Sequence, residues 1–337
     1  MKINVDIIIP CRNEENYIEK CIHSIFENKY PKELIHVFVV DGLSDDNTLT
    51  ILNQLIKKYN NLKLLINEKQ TTPHALNLGI KQTNHQVKII FGAHAIMDEN
   101  FINENIKILS QYQDVGCCGG IIENVYQNKT GEIIGKAMSS PFGVGDAHFR
   151  TGIKEGFVDT VAFGAYKNEV FKKVGLFDEE LVRNQDDEFN FRLLKNGYKI
   201  YLSKKVKSKY FVRGSFKKLR KQYYQYGFWK VYVNKKHKTV TTFRQIVPLL
   251  FVGYIIFGLL FCLLFQKWTY LYLSGLVLYF LSALFFSLKK SKTLNEMFKI
   301  IYSFCIIHFS YGLGYLNGII QFLFFKKRPK SNEKLTR

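Results

Sequence analysis

Four ionisable side chains crowd into six positions at Arg183-Asn184-Gln185-Asp186-Asp187-Glu188, just before the helix-like run Phe189-Asn190-Phe191-Arg192-Leu193-Leu194. A carboxylate at the mouth of a helix, fed by a short loop, is placed to take a proton from an incoming hydroxyl. The same cluster could instead complement the positive end of a helix dipole. Three more polar clusters each follow a short apolar run: Pro10-Cys11-Arg12-Asn13-Glu14, Asp41-Gly42-Leu43-Ser44-Asp45-Asp46 and Gly92-Ala93-His94. Asp41 could accept hydrogen bonds from a base or a ribose, or serve as a turn or cap residue.

These clusters need elements to hold them. Val5 to Ile9, Ile35 to Val40, Leu62 to Ile66 and Val87 to Phe91 read as buried strands. Between the first two, Tyr17, Ile18, Cys21, Ile22, Ile25 and Phe26 repeat at helical spacing. Leu49, Ile51, Leu52, Leu55, Ile56 and Tyr59 do so after the second, and a third helix starts at Pro73. Such alternation implies an α/β fold with a mostly parallel, Rossmann-like sheet, whose ligands sit beyond the carboxyl ends of the strands. The three polar clusters fall at those ends. No Gly-rich dinucleotide fingerprint or P-loop follows the first strand, so side chains and turns would hold any nucleotide. Cys117-Cys118-Gly119-Gly120 ends another strand, Gly131 to Gly156 reads as a long loop that could act as a lid, and Asn168 to Val174 as a helix.

Lys and Arg outnumber Asp and Glu by 48 to 28, a formal charge of +20. Such a surplus suits nucleic acid, anionic membrane or phosphorylated substrates. From Ile246 onward the chain is almost purely apolar with basic residues beside it, which favours a membrane surface over nucleic acid. Ile246 to Phe265 and Tyr270 to Leu288 have the length and composition of spanning helices, joined by a tight Gln266-Lys267-Trp268-Thr269 turn. A third apolar stretch, 300–325, is expected to span or to re-enter, ahead of a basic tail over 326–337. Lys289, Lys290, Lys292 and Lys299 place the loop after the second span inside. Met1 runs into a strand without a secretory signal, so the leading domain, 1–237, is expected in the cytoplasm of a multi-pass cell-membrane protein. Its basic segment, 204–237, is expected to lie along the anionic leaflet. The six cysteines lack metal-ligand spacing and are expected to be reduced, buried thiols.

Val-Asp-Ile-Ile-Ile-Pro-Cys-Arg-Asn-Glu-Glu from Val5, then Val-Val-Asp-Gly-Leu-Ser-Asp-Asp-Asn-Thr from Val39, resemble the opening of family 2 glycosyltransferases of GT-A fold, most closely the succinoglycan-biosynthesis type. The resemblance runs to about His237. It implies that Pro10, Asn13, Glu14, Asp41 and His94 line the pocket for a nucleotide-sugar donor. It also aligns Asn184-Gln185-Asp186-Asp187-Glu188 and Arg192 with the acceptor half of the family, where Gln185 stands for a usual Glu and Asp186 for the catalytic base. Gln185, Glu188 and Arg192 would then meet the acceptor, unless Glu188 and Arg192 orient the loop instead; so would Gln222 and Trp229, whose surroundings resemble a Gln-x-x-Arg-Trp motif without its Arg, unless Trp229 anchors at the lipid headgroups.

The resemblance further implies a divalent cation, manganese or magnesium, held by an Asp-x-Asp. This chain has Gly92-Ala93-His94 at that point. An imidazole is a poor magnesium ligand and a tolerable manganese one, so His94 is either a metal ligand or a direct hydrogen-bond donor to phosphate. The expected activity is inverting transfer of a sugar to a hydroxyl of a lipid-linked or growing surface-polysaccharide acceptor. Two alternatives are a nucleotidyltransferase on a similar sheet, which lacks its signature loop here, and a non-catalytic membrane-bound nucleotide-sugar-binding scaffold whose metal site is degenerate.

Overall fold

The computed structural model describes residues 3–212 and 214–328. Arg213, Lys330 and the rest of the basic tail beyond 328 lie outside the described residues. The chain divides into two compact units, one built from residues up to 125 together with 148–211, the other from 126–147 together with 212 onward. A division at 237 was expected from composition; the observed one falls at 211/212, and residues 126–147 go with the apolar C-terminal part.

The first unit opens with β1 (Val5–Cys11), α1 (Ile18–Phe26), β2 (Ile35–Asp41), α2 (Thr48–Lys58), β3 (Leu62–Ile66) and α3 (Thr72–Ile80). It continues with β4 (Val87–Ile90), β5 (Ala95–Met97), α4 (Phe101–Gln111) and β6 (Val115–Val125). After α5 (Lys129–Met138) and α6 (Pro141–Val144) of the second unit come α7 (His148–Thr151), β7 (Gly156–Val158), β8 (Ala162–Lys167), α8 (Asn168–Val174), α9 (Gln185–Lys195) and β9 (Lys199–Phe211). The strands form one sheet in the order β3-β2-β1-β4-β8-β6-β9-β5, with β7 also on β9. The expected parallel character resides in β3, β2, β1 and β4. β8 runs antiparallel to both of its neighbours, and β6 pairs with β9 in parallel.

Strand periodicity explains the layers. Val5, Ile7 and Ile9 of β1 enter one core beneath α1, α2 and α4, whereas Ile8 enters the other with Leu76, Phe171, Phe189 and Leu193 from α3, α8 and α9. Asp6 and Lys88, register partners on β1 and β4, are both wholly buried and form an ion pair, with His85 on the second carboxylate oxygen at 2.7 Å. A buried charge is tolerated only with such partners. Burial also raises the Cys21, Cys117 and Cys118 thiols well above their ordinary range, and all six cysteines are free.

α9 is clamped by one ion pair. Arg192 donates from Nε to Glu188 Oε1 at 2.6 Å and from Nη2 to Oε2 at 2.9 Å. Its guanidinium also donates to the carbonyls of Val174, the last residue of α8, and of Leu176 just beyond it, each at 2.8 Å. The fork geometry of Arg allows all four bonds at once.

Two sequence expectations change. The first part of the basic segment is not an interfacial stretch but the sheet strand β9, with Val206 and Ser208 buried and Lys205, Lys207 and Lys209 exposed. That period-two alternation was present in the sequence, hidden by its charge. Residues 131–156 are not a long loop, for they contain α5, α6 and α7. Asn128 caps α5 by accepting from the Gly131 amide at 2.7 Å, and Ile133, Ile134, Ala137 and Met138 are buried. Gly135 is small because a Cβ there would come within 2.3 Å of the Tyr126 ring, a packing need rather than a loop signal.

The second unit adds α10 (Phe216–His237), α11 (Val247–Leu264), α12 (Thr269–Leu288) and α13 (Leu294–Gly318), the last continuing as a π-helix over Ile319–Phe324. Three helices are long and apolar enough to cross a membrane. The first two match the expected 246–265 and 270–288 almost residue for residue. The third runs unbroken from Leu294, capped by Thr293 Oγ1 on the Glu296 amide, so 300–325 is one helix and not a re-entrant pair. α13 lies against α10, and glycines permit the approach: a Cβ at Gly227 would sit 2.0 Å from the Tyr311 carbonyl oxygen, and one at Gly314 2.0 Å from that of Tyr224. His308 ties α6 and α12 to α13, with Nε2 2.8 Å from the Phe142 carbonyl and Nδ1 3.0 Å from the Tyr279 hydroxyl.

Two stability predictions follow from these contacts. Gly227→Val, which sets a side chain against backbone, should cost about 3 kcal/mol and lower the melting temperature of detergent-solubilised protein; an unchanged melt would refute the close approach. Glu188→Gln leaves Arg192 without its counter-charge and should cost about 3 kcal/mol in chemical denaturation, whereas a loss below about 0.5 kcal/mol would show that the pair does not clamp α9.

Candidate active site

β1 and β2 end side by side, with Cys11 opposite Asp41, and their loops are bonded together. Asn13 has a left-handed backbone, φ 55°, a conformation Asn tolerates better than most residues. Its amide donates to Ser44 Oγ at 2.9 Å. Its side chain pairs with Asp45 in both directions: Nδ2 donates to Oδ1 at 2.6 Å, and the Asp45 amide donates to Asn13 Oδ1 at 3.0 Å. The Glu14 amide donates to Thr48 Oγ1 at 2.8 Å. Asp41 is wholly buried, and both carboxylate oxygens accept from Ser44, one from the amide at 2.9 Å and the other from the hydroxyl. Asp41 therefore builds the loop from below. Pro10 pairs with Val40 and is half-buried.

His94 joins this group across the sheet. Its Nδ1 lies 3.2 Å from Oε1 of Glu14, which is 5 % exposed. Its ring meets those of Tyr17 and Tyr210 edge-on, at centroid distances of 6.5 and 5.1 Å. The residues expected to line one pocket from β1, β2 and the segment after β4 are thus brought to one edge.

The arrangement does not fit a cation of the Asp-x-Asp kind. Phe163 occupies the place where a side chain at position 92 would start, with Cε1 2.8 Å from a Cβ built on Gly92. Phe163 itself is left-handed, φ 50°, rare for a bulky residue, and its ring packs on Phe91 at 4.7 Å. The His94 imidazole is already joined to Glu14. Among the described residues no three His, Cys, Asp or Glu side chains gather in a way that could hold a metal.

The opposite side of the site comes from α9. Asn190 Nδ2 donates to Thr160 Oγ1 at 3.2 Å, and the Tyr166 hydroxyl donates to Asn190 Oδ1 at 3.3 Å. Because β8 runs antiparallel to β4, Thr160 lies at the same sheet edge as the end of β4, and Asn190 ties α9 to it. Asp186 is exposed in that turn, while Gln185 and Asp187 are half-buried. The Tyr166 hydroxyl is held well above its usual range, first by burial, then by Cys117, with the Asp186 charge adding to the effect. Asn184, at φ 60°, turns the chain into the helix. With Asn13, Leu43, Gln70 and Phe163, it makes five left-handed non-glycine residues along this edge.

The remaining expected residues behave differently. Glu188 and Arg192 bind one another and the backbone, an internal duty. Gln222 is buried and donates from Nε2 to the Tyr226 hydroxyl at 2.7 Å. Trp229 is 1 % exposed, surrounded by Phe228, Tyr232 and Phe322, so its faces are covered by other rings and not open to a sugar. Sequence reasoning missed Ser44, although an Asp-x-x-Ser turn carries a hydrogen-bonding signal. It also missed Phe163 and Tyr210, whose places depend on strand pairing alone.

A family model described as "Glycosyl transferase family 2" matches residues 6–175. A dolichyl N-acetyl-alpha-D-glucosaminyl phosphate 3-beta-D-2,3-diacetamido-2,3-dideoxy-beta-D-glucuronosyltransferase of Methanococcus voltae is 39% identical over 231 residues, 66% of this chain and 71% of that protein. The succinoglycan biosynthesis protein ExoA of Rhizobium meliloti is 28% identical over 265 residues, 75% of this chain and 77% of that one. A mannosyltransferase of Pyrobaculum calidifontis, solved with GDP-Man and Mn2+, shares the fold with a TM-score of 0.61 at 15% identity, over 95% of this chain and 88% of its own. On the matched residues and on this identity, the chain belongs to glycosyl transferase family 2.

Proposed function

We propose that this glycosyltransferase inverts the anomeric centre of a nucleoside diphosphate sugar, moving the sugar to a hydroxyl of a lipid-linked or polysaccharide acceptor with Asp186 as general base. The observation that carries the reading is an exposed carboxylate in the first turn of α9, a helix held by its Glu188–Arg192 pair and bonded through Asn190 to Thr160, just before β8. The acceptor oxygen attacks the anomeric carbon from the face opposite the diphosphate. Its proton passes to the Asp186 carboxylate, and the electrons of the breaking bond go to the departing phosphate oxygen. Asn13, Glu14 and His94 are the groups proposed for the donor, over a floor built by Pro10 and Asp41. Gln185, beside the base, is proposed for the acceptor.

The Methanococcus voltae relative is named for a dolichyl-linked sugar phosphate and the Rhizobium meliloti one for succinoglycan, which supports an acceptor on a lipid or a growing polysaccharide. Three helices fit to cross a bilayer support a multi-pass anchor. The lysines after α12 and the exposed Lys217, Lys218, Arg220 and Lys221 of α10 suit the anionic cytoplasmic leaflet, and with them a cytoplasmic catalytic unit. Membership of a transferase family leaves the non-catalytic scaffold without support.

Asp186→Asn should lower the rate of transfer by about 10³-fold while nucleotide affinity stays within twofold, about the share of a rate that a general base supplies. Coupled release of nucleoside diphosphate gives the rate and calorimetry the affinity. Turnover near that of the unaltered enzyme would remove Asp186 as the base.

A further inference from the structure

A sugar diphosphate brings negative charge into the site, and more gathers on the leaving oxygen as the bond breaks. With Phe163 in the place of a side chain at 92, an offsetting charge must come from elsewhere along this edge. The sheet supplies a candidate. Tyr210 on β9 pairs with Ala95, the residue after His94, and its ring lies 5.1 Å from the His94 ring. Against that same tyrosine ring, at 5.7 Å, lies the guanidinium carbon of Arg150 on the one-turn helix α7. Arg150 is half-buried. Its Nη1 is shielded from solvent and has no hydrogen-bond partner among the described residues. The same holds for Nδ1 of His148 and Oγ1 of Thr151, its neighbours on α7. No carboxylate among the described residues pairs with Arg150.

Buried polar atoms are almost always hydrogen-bonded, and an unmet guanidinium nitrogen is among the costlier exceptions. Three of them on one turn call for a ligand that accepts hydrogen bonds, and the charge on Arg150 selects an anion. A planar fork of N–H groups matches the oxygens of a phosphate. Resting on the donor assignment proposed above, we infer that Arg150, with His148 and Thr151 beside it, binds the diphosphate of the nucleotide sugar. It supplies there the positive charge that a cation at position 92 would otherwise carry. His94 meets the same diphosphate through Nε2, the nitrogen not facing Glu14. Transfer is then independent of added divalent metal. A lipid phosphate has the same chemistry, but the adjoining His94 loop favours the donor.

The test uses the full chain in detergent with EDTA present, titrated calorimetrically with UDP and GDP and with UMP and GMP. The unaltered protein should bind one of the diphosphates equally well with EDTA and with manganese. Arg150→Ala should weaken that diphosphate by at least about tenfold and the matching monophosphate by less than about twofold, the signature of a lost charge-assisted bond to the terminal phosphate. Arg150→Lys should recover part of the loss and serves should the alanine variant not fold. Diphosphate binding that vanishes in EDTA overturns the inference, as does binding left unchanged in either variant. A defect seen only with polyprenyl monophosphate in the micelle also overturns it, assigning the site to the acceptor. Binding of no nucleotide by the unaltered protein would instead refute the donor assignment itself.

Discussion

A side chain on the first turn of a helix is only as well placed as the helix, and α9 is held by an ion pair of its own. Glu188 and Arg192 face each other across one turn of α9, and the guanidinium reaches past the carboxylate to two carbonyls at the end of α8. With Phe189 and Leu193 buried beneath, α9 has little freedom to roll or slide. Asp186, two residues before Glu188, stays exposed in the first turn of the same helix. The pair works because its carboxylate is nearly dry and its guanidinium holds the backbone as well, so breaking it would leave a buried charge unmatched.

The facing side of the site follows the same logic with neutral and ionic hydrogen bonds. Asp41, sealed under its turn, orients Ser44, and Ser44 receives the amide of a left-handed Asn13. Thr48 holds the Glu14 backbone while its carboxylate meets His94. Three segments far apart in sequence are thereby made into one edge, and the strained backbone at Asn13, Leu43, Gln70, Phe163 and Asn184 is concentrated there. Local strain persists only where surrounding contacts over-determine it, which these bonds do. Gly92 and Phe163 show the exchange most plainly: one residue has no side chain because another, on the neighbouring strand β8, fills its space.

The second unit shows how composition can mislead. Gly and Ser between 131 and 156 suggested a free loop, yet Gly135 of α5 is there so that Tyr126 can pack on it. Lysines between 204 and 211 suggested a membrane-facing segment, yet they are the outward half of a strand. The glycines of α13 and α10 likewise serve close helix contact. Small or charged residues report a steric or solvation requirement, and the same requirement arises in a loop, at a surface strand or between two helices.

Runs of apolar residues with a clear period were legible without coordinates: the parallel strands and their helices, the two hairpin spans, and α8 over the very residues expected. So were the clusters after β1, β2 and β4 and the acidic turn of α9, because hydrophobic burial and local hydrogen bonding act over neighbouring residues. What sequence could not decide is which distant residue meets which. That Phe163 fills the notch at Gly92, that Trp229 packs on Phe322, that Tyr210 meets both His94 and Arg150, and that 126–147 joins the C-terminal unit all depend on strand order and helix packing. Those pairings are set by the packing of the whole core, in which any one residue's partners are chosen by every other.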